Sequence, residues 1–210
     1  MKLIQKFFNE KYAKSASRFL RFACYFIMAF YVFCLVLGFM GRISFTLHTN
    51  SGTGSYEEAI YAEENYVLQS GILVVHLDDS VNVWTNDAGQ VDLTIQVGLF
   101  LMFAVNIVPL IFGFWFLSRL FANVSEGQIF VVQNANYLLY YGLIQFSVGL
   151  FVPFIKLLIC YLINLFSNGR MAINTGSNML NILIPSIAFI VAAYILRYGI
   201  HLQDEVDHTL

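Results

Sequence analysis

Catalysts and proton-coupled carriers that work inside a bilayer need ionisable side chains at depth, because acid/base chemistry, metal ligation and charge relay all run on them. In this sequence one residue meets that description: Lys156, within an apolar run from Leu138 to Phe166. Arg21 lies at the edge of another apolar run, and no Asp, Glu or His falls inside any of the four. Lys156 sits ten residues before Phe166, roughly 15 Å along a helix. Three readings of it are open: a lysine that snorkels to the interface, one that pairs with a polar residue such as Asn106 or Asn181, or one that holds a substrate or lipid headgroup.

Other residue types with chemical potential lead less far. Cys24, Cys34 and Cys160 all lie in apolar runs, where a thiol packs as a small hydrophobe. His48 and His76 lack a metal-ligand spacing, and the acids around them match no calcium loop. The sequence has no glycine-rich phosphate loop, nucleophile elbow or cysteine pair. No enzyme activity and no cofactor are expected. Pro109, Pro153 and Pro185 all fall in apolar runs, each removing a helical hydrogen bond near polar residues such as Asn106, Gln145, Ser147, Asn181 and Ser186. Asn106, Lys156 and Asn181 are the candidate intramembrane polar set.

The elements that must position these residues are membrane helices. The chain is 59% hydrophobic, 17% aromatic and 11% charged, far from a soluble composition. Four runs are long enough to cross a hydrocarbon core of about 30 Å: 19–40, 97–117, 138–166 and 179–197. No small-x-small cleavage site follows the first, so it reads as a retained anchor. Residues 1–18 carry Lys2, Lys6, Lys11 and Lys14 opposite Leu3, Ile4, Phe7, Phe8 and Tyr12. They read either as an interfacial amphipathic helix or as a plain basic tail.

With the N-terminus inside, the cytoplasmic side collects Lys2, Lys6, Lys11, Lys14, Arg18, Arg21, Arg119 and Arg197, against Arg42 and Arg170 outside. The positive-inside rule therefore places both termini in the cytoplasm. It also places the connector 118–137 and the tail 198–210 there, and the insert 41–96 and the loop 167–178 outside. The insert holds Glu57, Glu58, Glu63, Glu64, Asp78, Asp79, Asp87 and Asp92. Alternation in Ile43–Leu47 and Val81–Thr85 predicts strands. Asp78, Asp79 and Ser80 predict a hairpin turn joining Ile72–Leu77 to Val81–Thr85, Asn50–Ser55 a loop, and Tyr56–Tyr66 a short helix. At this size and without disulfides the insert is expected to lean on the membrane surface, its helix ends or a second copy. The expected fold class is mainly α: a polytopic membrane protein of four transmembrane helices with a small β-containing extracytoplasmic insert between the first two.

Two stretches carry a family resemblance. Ser118, Arg119 and Leu120, then Glu126, Gly127, Gln128, Ile129, Phe130 and Asn134, together with the terminal Gly199, Leu202, Gln203, Asp204, Glu205, Asp207 and Thr209, resemble the DUF2975 family of bacterial four-span membrane proteins of unknown function. Val131 departs from that pattern, standing where a helix-capping Ser or Thr is usual, and His208 stands where an apolar residue is usual. The resemblance implies a protein of the bacterial inner membrane. Because such proteins are often encoded near small helix-turn-helix regulators, it further implies sensory or regulatory binding to a cytoplasmic partner, a transcription regulator above all. Glu126, Gly127, Phe130, Asn134, Asp204, Glu205 and Asp207 are the candidate contacts. The alternative is a small oligomeric transporter or a transporter accessory subunit. The lipid bilayer is the expected partner in either case, with a second copy as a further one. Direct nucleic-acid binding is not expected, since the basic residues at the N-terminus are better placed for lipid.

Overall fold

The computed structural model describes residues 10–51, 65–67, 73–76, 80–85, 91–174 and 179–209. Four long helices dominate it: α1 (Glu10–Phe39), α2 (Leu93–Ser125), α3 (Val132–Ser167) and α4 (Met179–Thr209). Each is long and apolar enough to cross a membrane, and each of the last three contains one proline. Their outer surfaces carry large apolar side chains such as Phe19, Phe22, Phe26, Phe112, Phe166 and Ile195. An aqueous surface does not tolerate that much exposed hydrocarbon, whereas lipid is a matching solvent for it. The protein is thus a mainly α, multi-pass membrane protein.

The helices outrun their apolar runs. At 33 residues α2 is about 50 Å long, against a hydrocarbon core of about 30 Å. Three expectations change as a result. The described part of the basic N-terminal segment, from Glu10, is the first turns of α1 and not a separate helix; residues 1–9 lie outside the described residues. The connector shrinks to 126–131, because nothing before Gly127 breaks the helical pattern of α2. The acidic tail is helical through Thr209, since Gly199 is the only poor helix former in it.

The chain divides into two compact units. The first holds α1 up to Val32, residues 109–148 and α4 from Asn181. Its helices are locked by aromatic contacts: Tyr31 against Phe114 at 6.2 Å, Phe116 against Tyr140 at 5.1 Å, and Tyr141 edge-on to Phe189 at 4.8 Å. At Gly142 the backbones of α3 and α4 nearly touch; a Cβ there would lie 3.1 Å from the Ile190 nitrogen and 3.2 Å from the Ser186 carbonyl oxygen.

The second unit, 33–108 with 149–180, contains the sheet. It is formed by β1 (Ile43–Ser51), β2 (Asn65–Val67), β3 (Leu73–His76), β4 (Ser80–Thr85) and β5 (Met171–Asn174). The strand order is β2-β1-β4-β5, with β3 also on β1. β2 runs antiparallel to β1, pairing Thr46 with Val67, and β5 runs antiparallel to β4, pairing Val83 with Met171. β3 and β4 both run parallel to β1, pairing Ile43 with Leu73 and His48 with Asn82. The predicted hairpin is therefore not formed, because the chain keeps its direction from β3 into β4. The β4 edge that a hairpin partner would occupy belongs instead to β5. Parallel pairing needs a longer connection than a tight turn, and β2 stands between β1 and β3 in the chain.

The other insert expectations shift too. Ser51 is still in β1, so the predicted loop starts later than Asn50, and Asn65 and Tyr66 are in a strand where a helix was expected. The rest of those two segments, together with Asp78 and Asp79, lies outside the described residues. The loop 167–178 contributes β5, residues 171–174, to the sheet.

The core of this unit lies where the sheet meets the helices. Ile95, Leu99 and Met102 follow one face of α2 at helical spacing and are fully buried. Phe45 of β1 meets Phe103 of α2 edge-on at 6.0 Å. Val81, Val83, Trp84 and Met171 complete the buried set. The turn from α1 into β1 is closed by two hydrogen bonds, from Arg42 N to Leu37 O and from Gly41 N to Gly38 O, with Gly41 at φ 67° as the left-handed cap.

Candidate functional site

The segment singled out by its motif, 126–131, is built from the end of α2 outward. Gln128 N donates to Asn123 O at 2.9 Å and Gly127 N to Val124 O at 3.1 Å, with Gly127 at φ 90°. This is the Schellman pattern, which places a left-handed residue after the helix and so explains the glycine. Lys14 of α1 lies across the same point, its Cε and Nζ 3.2 and 3.3 Å from where a Cβ on Gly127 would stand.

Asn134 holds the other end. It is 1% exposed, and its amide nitrogen donates to Gln128 O at 2.6 Å and to Ile129 O at 2.9 Å, while its Oδ1 accepts from Asn123 Nδ2 at 2.9 Å. Its backbone nitrogen donates to Val131 O at 3.0 Å. Val131 has no side-chain acceptor with which to cap α3. The Asn134 side chain ties the helix start to the connector from the opposite direction. Asn134 thus shapes the connector from inside and is itself out of reach of a partner. Glu126, Gly127, Gln128, Ile129 and Phe130 are exposed, Phe130 at 58%.

The acidic residues of the tail lie in α4 of the same unit. Asp204 and Glu205 are exposed, Glu205 pairing with His201 Nε2 at 3.5 Å, and Asp207 follows three residues after Asp204 in the helix.

The intramembrane set comes out differently. Lys156 is 6% exposed, belongs to the sheet-bearing unit and has a partner. Asn106 donates its amide to Met102 O of its own helix at 3.3 Å. Asn181 is exposed on α4 and belongs to the other unit. Four and eight residues on from Lys156 along α3 stand Cys160 and Asn164, which are not among the candidates chosen above. Asn164 donates to Met171 O at 2.7 Å and accepts from Met171 N at 3.0 Å, and Cys160 Sγ donates to the same carbonyl at 3.6 Å. A side-chain amide thus imitates a neighbouring strand and docks β5 onto α3. Arg170 Nη1 pairs with Asp92 Oδ2 at 3.3 Å, and Trp84 N donates to Arg170 O at 2.9 Å. Among the described residues, two buried groups, Trp84 Nε1 and Ser167 Oγ, have no hydrogen-bond partner. Cys24, Cys34 and Cys160 are buried and unbridged.

Asn123, Asn134 and Asn164 share one signal, an amide at the end of an apolar helix beside a segment whose backbone groups need partners. The connector presents an exposed apolar pair, Ile129 and Phe130, close in sequence to the Glu126 carboxylate, on a backbone fixed by a buried amide. Compared with protein-family models, with curated proteins and with solved structures, the chain finds no match.

Proposed function

We propose that this chain is a non-enzymatic sensory or regulatory binding protein of the bacterial inner membrane, related to the DUF2975 family, that acts on a cytoplasmic partner through its connector. The observation that carries the reading is the Asn134 clasp. A plain link between two helices needs only to span a gap, whereas here a buried amide fixes the backbone that displays Ile129 and Phe130. Exposed apolar side chains on a pre-ordered backbone are what a binding surface uses to limit the entropy lost on docking. Charge supports the orientation. Lys14, Arg18, Arg21, Arg119 and Arg197 all belong to the connector-bearing unit, and Arg42, Lys156 and Arg170 to the sheet-bearing one. The first unit then faces the cytoplasm, and the sheet receives the signal outside. The helical tail with Asp204, Glu205 and Asp207 is a second contact suited to a basic regulator.

The test is site-specific photo-cross-linking from Gln128 in native membranes. A regulator captured by the wild type and lost on Phe130→Asp, with a tail-deleted chain capturing less, is the expected result. The same captured set from wild type and Phe130→Asp would refute the reading.

The burial of Lys156, three residues after Pro153 on α3, favours one other reading, a small transporter or transporter accessory. Liposome flux measured with Pro153→Ala and Lys156→Gln separates the two, because only transport responds to those changes.

A further inference from the structure

We propose that the last turns of α4, beyond Arg197, form a docking ridge for an amphipathic helix that carries basic residues beside its apolar stripe. Ser186, Ala193 and Ile200 recur every seven residues and are buried, so one face of α4 stays covered through Ile200. On the opposite face Val191, Ile195, Tyr198, Leu202 and Val206 follow at intervals of four, three, four and four residues, the spacing of a single helical stripe. All five are exposed, the last three at 64%, 43% and 55%.

Lipid covers the first part of this stripe but not its end. From Met179 to Arg197 the helix rises about 27 Å, close to the roughly 30 Å of a hydrocarbon core. Leu202 and Val206 stand about 7 and 13 Å further along it, and the helix is continuous to Thr209.

Charge selects the occupant of that end. Residues 198–210 contain Asp204, Glu205 and Asp207 and no Lys or Arg. A helix that lies on an anionic leaflet carries Lys and Arg beside its apolar stripe; this one carries the opposite sign. A second copy related by an axis along the membrane normal would set its α4 parallel to the first and bring like charges together. A basic helix from another protein meets neither penalty. It covers the ridge with its own apolar stripe, as helices read through anchors one turn apart do, and sets Lys or Arg against the exposed Asp204 and Glu205. Glu205 pairs with His201 at 3.5 Å, with side chains 60% and 68% exposed, a contact weak enough for a stronger cation to displace. This inference rests on the reading of the chain as a binding protein with a cytoplasmic partner, and names the element by which that partner is held.

The test uses the full chain in phosphatidylcholine nanodiscs with a bimane label on Gln203→Cys, since Gln203 is exposed next to Leu202 and the native Cys24, Cys34 and Cys160 are buried. Two amphipathic helical peptides of equal length, one of Leu and Lys and one of Leu and Glu, are titrated, with empty nanodiscs as the blank. The Leu/Lys peptide should bind saturably, and the Leu/Glu peptide about tenfold more weakly or less. Leu202→Ser should weaken the Leu/Lys peptide about tenfold, the value of one buried leucine. Val191→Ser, on the same stripe within the bilayer, should leave its binding unchanged. Equal binding of the two peptides, binding no greater than the blank, or no response to Leu202→Ser would overturn the ridge. A nitroxide on Val206→Cys that oxygen reaches in preference to a water-soluble nickel complex would show lipid over it, and a disulfide between two Val206→Cys chains would show a second copy; either overturns the assignment. Phe130→Asp should leave peptide binding unchanged, and a loss there would place the peptide on the connector instead. Capture from Gln128 tests the connector without the peptides, so failure of the ridge and failure of the connector are read separately.

Discussion

Replacing Asn134 by alanine tests whether the connector is held or merely spans a gap. The substitution removes three side-chain hydrogen bonds, at 2.6, 2.9 and 2.9 Å, from a residue that is 1% exposed. Each neutral hydrogen bond is worth about 1 kcal/mol net. The carbonyls of Gln128 and Ile129 belong to exposed residues and regain water once released, which lowers the total. The local cost is then about 2 to 3 kcal/mol, which at about 1.4 kcal/mol per decade is a rise of roughly 30- to 150-fold in local opening. Hydrogen exchange of the full chain in nanodiscs, followed on the peptide from Asn123 to Asn134, reads that opening directly, because the Gln128 and Asn134 amides are both hydrogen-bonded there. Asn134→Asp separates the clasp from simple packing. Its carboxylate can still accept from Asn123, but it has no donor and faces two carbonyl oxygens, so it should open the connector at least as far as alanine does. Exchange within about twofold of wild type in both variants would refute the clasp and remove the observation on which the proposed function rests.

The same reasoning extends to other positions. Asn164→Leu keeps the branched side-chain shape but removes the two amide hydrogen bonds to Met171, leaving only the weak Cys160 Sγ donor on its carbonyl; β5 amides should exchange faster, by a local loss of about 2 kcal/mol. Gly142→Ala places a Cβ against backbone atoms of Ile190 and Ser186 that cannot yield, and should lower the melting temperature in detergent through a cost of about 1 to 3 kcal/mol. Gly113→Ala meets the movable Tyr141 ring at 3.2 Å and should shift it less. Arg170→Gln breaks a pair whose side chains are 24% and 32% exposed, so it should cost less than about 1 kcal/mol, with the difference from wild type narrowing at high salt.

The parts of this fold legible in the sequence are those set by transfer to lipid. Four apolar runs became four helices because hydrocarbon solvation acts on each run separately. Partnering was not legible. Parallel addition of β3 and β4 to β1 depends on which edges are taken, and β5 arises from Met171, Ala172, Ile173 and Asn174, too short a segment to display a period. The same limit explains the site. Lys156 stood out because a charge in an apolar run is conspicuous, but its burial depends on what surrounds α3. Gly127 and Asn134 were marked by the motif, while their roles as a left-handed cap and a two-carbonyl clasp follow only from the hydrogen bonds.

One device is used at both ends of α3. Asn134, near its start, ties down the connector that precedes the helix; Asn164, near its end, ties down the strand that follows. In each case a short non-helical segment beside a membrane helix has backbone donors and acceptors that a helix would have satisfied within itself. An amide carries both a donor and an acceptor, so one side chain can answer both needs. A carboxylate could not, and a hydroxyl is too short to bridge two carbonyls of adjacent residues. The two segments therefore owe part of their order to α3, beside the α2 cap at Gly127 and the pairing of β5 with β4. It follows that a substitution at Asn134 should disturb exchange in the connector while leaving Met171 protected, and a substitution at Asn164 should do the converse. Loss of protection at both places from either single change would mean that the amides are not local clasps.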